Sequence, residues 1–213
     1  MTLAVLACVL AAVPTVAADA VPARAANVLP EDATAAEIVA CCRTMLPCDA
    51  ELAGRIILRN RRGTVQAEHA YVLRRAEGAT ALDVDGKRLE RDDGRGAIMG
   101  TDVTWSDLTL DYLWWDDVSF DAERESETVH GQKCCVIVLK SGDRLVRAWV
   151  DRKTGAMMQA EEVADGRPVR RLWGTRIKKF GDRWAPNVLE VETLGSGHRT
   201  KITVERLEVK ETT

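Results

Sequence analysis

"RAWVDRKTGAMMQAEEVADG", residues 147–166, decides the fold. Trp149, Val150, Met157 and Met158 stand among polar residues on either side of a Lys153-Thr154-Gly155 corner. That pattern is a strand, a tight turn and a returning strand. It poses a question: do the tryptophan and the methionines face a core of the chain's own side chains, or a guest?

The same rhythm runs outward in both directions. "LAGRIILRNRRG", "TVQAEHAYVLRR" and "ATALDVDGKRLERDD" are β-rich stretches parted by Gly or Asp-Gly corners, as antiparallel hairpins require. Later turn signals predict strands at about 118–129, 133–141, 144–151, 156–164, 168–180, 183–193 and 199–210. In the last of these, Ile202 and Val204 share one parity and Leu207 and Val209 the other, which predicts a bulge near Glu205-Arg206. Ten or eleven such strands are too many to stay flat, so the sheet curls into a half or open barrel.

Two or three helices cover its hollow side. One is predicted where Ile38, Val39, Cys42, Met45 and Leu46 recur at helical spacing, between a cap at Asp32 or Thr34 and a stop at Pro47. A second starts at Thr104 and Asp107, a capping-box-like pair, and places Trp105, Leu108, Tyr112 and Trp115 on one side.

Thirty Lys+Arg are scattered among thirty-three Asp+Glu, which leaves no basic stripe to follow a phosphate backbone and excludes nucleic acid as a partner. Residues 1–20 open with an uncharged apolar run ending in Ala18-Asp19-Ala20, the small-x-small pattern of a signal peptidase site. Pro14 interrupts the run, which is shorter than the ~20 apolar residues a spanning helix needs. The expectation is a secretory signal over 1–20 and one domain over 21–213. Export makes Cys41, Cys42, Cys48, Cys134 and Cys135 an odd set in an oxidising compartment. One disulfide, buried thiols, and metal or redox work all remain open. Neither Cys-Cys pair has the gap of a structural zinc site.

No catalytic pattern emerges. His69, His130 and His198 belong to separate hairpins, and Ser196 sits in a Gly-flanked loop rather than a nucleophile elbow. The adjacent carboxylates of Asp92-Asp93, Asp116-Asp117 and Glu161-Glu162 point to opposite sides of a strand. The chain is therefore expected to be no enzyme and to use no cofactor or metal. Six tryptophans outnumber the Phe and Tyr together, three of them beside the second helix. A hollow lined by Trp, Met, Leu and Val suits an apolar guest, and an unbranched thioether adapts to its shape. The candidate cavity and lid residues are Ile38, Cys42, Met45, Trp105, Leu108, Tyr112, Trp115, Val118, Phe120, Trp149, Met158, Trp173, Leu189 and Val191.

Three segments then resemble the outer-membrane lipoprotein-sorting (LolA-like) family. "GTDVTWSDL" (100–108) is similar to its Gly-Thr-Asp-aromatic-Asp-Leu segment. "AWVDRKTGAMMQAEEVADGRPVRRLW" (148–173) is similar to its Trp-x-Asp-x-x-Thr strand pair and the following strand. "DRWAPNVLEVETLGSGHRTKITVERLEV" (182–209) is similar to its closing hairpin. The resemblance implies a half barrel of about eleven strands with a helical lid, working in a Gram-negative periplasm. Its cargo would be lipoprotein acyl chains or lipid, exchanged with inner- and outer-membrane lipoprotein-handling proteins. It also implies a basic residue on the sheet that holds the lid closed, for which Arg55, Arg59 and Arg61 are candidates. Two alternatives are an envelope-stress regulator that binds a partner protein, and a metal or redox protein built on the Cys pairs.

Overall fold

A computed structural model describes residues 29–47, 49–76, 79–91, 94–181 and 183–210. The expected signal segment and Cys48 lie outside the described residues. Within them, twelve strands make one antiparallel sheet. They are β1 (Ala50–Asn60), β2 (Val65–Ala76), β3 (Ala79–Val84), β4 (Lys87–Leu89), β5 (Asp117–Phe120) and β6 (Ser126–Val129), then β7 (Gln132–Ser141), β8 (Arg144–Asp151), β9 (Ala156–Ala164), β10 (Arg167–Phe180), β11 (Arg183–Thr193) and β12 (His198–Val209). The spatial order is β4-β3-β2-β1-β12-β11-β10-β9-β8-β7-β5, with β6 also on β7. The sheet is thus two meanders, β1–β4 and β7–β12, joined at the β1–β12 pair and open between β4 and β5. The chain between these two strands crosses the hollow side and supplies the lid.

The expected single strand over 118–129 is two, because Asp121 turns the chain. Its N–H donates to the Val136 carbonyl, and its carboxylate accepts from the Glu123 N–H at 2.9 Å and from Arg147 Nε at 2.7 Å. The bulge falls where the parity change placed it. Ala53 pairs with Arg206 and Gly54 with Val204, leaving Glu205 as the extra residue. Thr203 O comes so close there that a Cβ on Gly54 would stand 1.8 Å from it, so the crossing requires glycine.

Helix α1 (Ala35–Met45) is capped by Thr34, whose side chain accepts from the Glu37 N–H while Glu37 accepts from the Thr34 N–H. Helix α2 (Trp105–Thr109) is much shorter than its pattern predicts. Leu110 adopts φ 55°, and a 3-10 turn follows over Asp111–Trp114. The early stop has a physical cause. Arg75 donates to the carbonyls of Leu108 and Thr109, which a longer helix would use itself, and Leu110 packs against both apolar clusters of the hollow side. Trp105 and Tyr112 consequently end in different clusters rather than on one helical face.

The first cluster lies beneath α1 and includes Ile38, Val39, Leu113, Ile137, Leu139 and Val150. The second lies beneath α2 and includes Ile56, Leu73, Val103, Trp105, Leu172 and Ile202. A third, of Cys134, Val136 and Trp149, occupies the opposite face of the sheet.

Candidate functional site

Between the two hollow-side clusters lies an apolar groove of about 200 Å³. Its roof begins at the end of α1, where Pro47 stops the helix after Cys42, Met45 and Leu46 have turned inward. The lid contributes Leu108, Leu110 and Leu113. The floor is sheet: Leu52 of β1, Met157 of β9, Leu172 of β10, Leu189 of β11 and Leu207 of β12. Leu207 reaches the groove because the bulge at Glu205 returns it to the hollow side. Met157 and Met158 both line it, since a second bulge pairs Val150 with Met157 and Trp149 with Gln159 and leaves Met158 unpaired in the register.

The lid is held by arginines. Arg170 of β10 donates to the Asp102 carbonyl at 2.7 Å, to Thr104 Oγ1 at 3.2 Å and to Asp107, with Glu162 at 3.3 Å on its other side. Its side chain is only 14% exposed and Asp107's 11%. Burial works against the guanidinium's charge, but Asp107 and Glu162 outweigh it and raise its pKa further. Asp107 also accepts from the Thr104 N–H at 2.7 Å, so one carboxylate starts α2 and ties it to the sheet. Arg75 holds the other end of α2, Arg144 donates to Ser106 Oγ at 3.0 Å, and Arg43 of α1 donates to the Leu113 carbonyl at 2.6 Å.

None of Arg55, Arg59 and Arg61 takes part in this. Arg55 lies on the opposite face, ion-paired with Glu68 and Glu205, and Arg59 and Arg61 are exposed near the β1–β2 turn. Strand parity explains the difference: Arg170 shares a side with Leu172, whereas Arg55 and Arg59 alternate with the inward Ile56 and Leu58.

Of the sequence candidates, Cys42, Met45, Leu108, Met158, Trp173 and Leu189 line the groove. Ile38, Tyr112, Trp115 and Val118 belong to the packing beneath α1, and Trp105 and Val191 to that beneath α2. Phe120 is exposed with the Arg152 guanidinium 5.6 Å above its ring. Trp149 lies on the far face, its indole N–H donating to Glu127 at 2.9 Å. The opening question divides accordingly: the tryptophan meets its own chain, Met157 meets the groove, and Met158 borders the groove while packing against the tryptophan's cluster. Leu46, Leu52, Leu110, Leu113 and Leu207 also line the groove and are not among the sequence candidates. The parity change at Glu205 could have found Leu207.

Cys41, Cys42, Cys134 and Cys135 are buried free thiols. Burial first, then neighbouring Cys41 and Cys135, pushes Cys42 up to about 12, and burial pushes Cys134 up to about 11. Both move away from the thiolate that redox or metal chemistry needs. Among the described residues, no group of His, Cys, Asp or Glu is placed to hold a metal ion.

The fold and groove define a class. The fold is an open antiparallel sheet with a helical lid, and three solved structures share it. Residues 85–213 match a protein family described as "Uncharacterized protein"-like, and the chain belongs to that family. It is similar to a LolA superfamily protein from Nitrosomonas europaea, with a TM-score of 0.65 and 13% identity over 85% of this chain and 96% of that one. A DUF1329 family protein from Desulfovibrio piger gives 0.62 and 15% over 84% and 93%. A domain assigned to the outer membrane lipoprotein-sorting proteins of Vibrio parahaemolyticus gives 0.60 and 14% over 84% and 93%. No curated protein matches.

Proposed function

We propose that this chain binds an acyl chain of a lipid or lipoprotein beneath its lid and carries it across the periplasm toward the outer membrane. The observation that supports this best is the groove itself, whose lining is mostly apolar and led by leucine and methionine. Each methylene buried there contributes roughly 0.8 kcal/mol, so affinity comes from area and needs no reactive group.

At about 200 Å³ the groove is smaller than the ~300–1,000 Å³ of typical ligand pockets. A whole acyl chain therefore needs the lid to swing away, and Arg170 is the contact that must yield. Residues 1–20 serve in this reading as the export signal, and membrane-bound lipoprotein-handling proteins are the donors and acceptors of cargo.

Native mass spectrometry of the protein purified from its own periplasm, followed by lipid extraction, tests the proposal. A bound diacyl or triacyl species is the expected result. A protein that is always empty and also refuses acyl probes overturns it.

A further inference from the structure

We infer that the free end of the β10–β11 hairpin is a docking element for an anionic phospholipid bilayer. β10 pairs with β9 only over Arg167–Trp173, and β11 with β12 only over Val188–Val191. Beyond those limits, Arg176–Phe180 pair only with the facing part of β11, so a two-stranded ribbon leaves both neighbouring strands.

The composition of this ribbon suits a bilayer surface. Residues 176–180, "RIKKF", hold three cations, no acid and two large apolar residues in a chain of net charge −3. Thr175 to Lys179 are all exposed, and Ile177 at 68% is the most exposed large apolar side chain described. Arg176, Lys178 and Lys179 form no ion pair with a described residue, and Lys178 Nζ stands 5.2 Å above the Phe180 ring.

Lysines on a bare strand edge also guard against strand-to-strand pairing. That role explains the charges and leaves the exposed isoleucine unexplained. Cations beside apolar side chains are what an interfacial element uses, the first drawn to anionic headgroups and the second entering the acyl boundary. The placement fits as well, because Gly174, Ala185 and Pro186 at the root of the ribbon line the groove. Docking would set the rim of the groove against the bilayer. The use made of that contact rests on the acyl-carrier reading; the contact itself does not.

The test is co-sedimentation of the full chain with vesicles of phosphatidylcholine, alone or mixed with phosphatidylglycerol. Binding is expected only to the mixed vesicles and should fall as salt is added. Lys178→Glu with Lys179→Glu should weaken it at least about tenfold, and Ile177→Asp should also weaken it. Arg61→Glu with Arg62→Glu, at the opposite end of the sheet, changes the net charge equally and should leave binding intact. Absence of wild-type binding, or equal loss from the two charge reversals, overturns the inference. Vesicle binding by a protein whose groove refuses acyl probes would sink the carrier reading alone, and bound lipid without vesicle binding would sink the ribbon alone.

Discussion

The hollow side of the sheet is covered by two helices of unequal length, and the halves beneath them differ accordingly. α1, with eleven residues, reaches about 16 Å, and Ile38 and Val39 close over Ile137, Leu139 and Val150, all of them fully buried. α2, with five, reaches only about 8 Å before Leu110 turns the chain. The sheet beyond that point is roofed only by Leu108, Leu110 and Leu113 and by the last residues of α1, and the groove opens there. Apolar composition is similar in both halves. Solid core and groove are therefore set by how far the covering helix extends, and for α2 that length is set in turn by Arg75, which takes up the carbonyls of Leu108 and Thr109.

The sharpest way to break this comparison is to release the short helix. Arg170→Ala leaves Asp107 and Glu162 facing each other with no cation between them, both largely buried. Loss of one partner from such a pair costs about 3–5 kcal/mol, so chemical unfolding should show a drop of that size. Because Cys42 lines the groove, its reaction with a maleimide should also accelerate in this variant and slow again when an acyl probe is added. A rate unchanged by Arg170→Ala would mean that the arginine clasp does not govern access.

Leucine deletions measure the two halves directly. Leu139 is fully enclosed beneath α1, and Leu139→Ala should cost about 2–5 kcal/mol. Leu207 is half-buried on the groove wall, so Leu207→Ala should cost less than about 1.5 kcal/mol and enlarge the site. Leu189→Trp should fill the groove and abolish acyl-probe binding, with little change in the unfolding midpoint. Equal costs for the two alanine variants would show that both halves are packed alike.

How far the sequence revealed this depended on which interactions are local. Hairpins, the α1 cap and the bulge at Glu205 follow from turn chemistry and parity, and they stand in the structure as expected. The strand count and the length of α2 do not, because Asp121 and Arg75 act through partners in distant strands. The groove was legible only in kind. Period-two alternation shows that two faces exist, but Trp149 and Val150 are both buried, on opposite faces, and nothing local says which face holds the hollow. The lid arginine was missed for the same reason: Arg170 and Arg55 look alike until strand pairing assigns them sides.

The smallest effect on the groove is expected from the far face, where Arg147 and Asp121 form a buried pair that mirrors Arg170 and Asp107. Burial alone would raise the Asp121 carboxyl, but the Glu123 N–H and Arg147 outweigh it and hold it below its usual value. A depressed folded-state pKa contributes stability in full above the unfolded value of about 3.9, and that contribution is lost as the pH falls through the folded value. Unfolding curves of wild type and Asp121→Asn should therefore converge as the pH drops below about 4 and stay apart above it. Because this pair holds the β5–β6 corner and not the lid, Asp121→Asn should leave the maleimide rate of Cys42 unchanged. A faster rate would mean that the two faces of the sheet are coupled, and the division between solid half and groove would no longer be set by the helices alone.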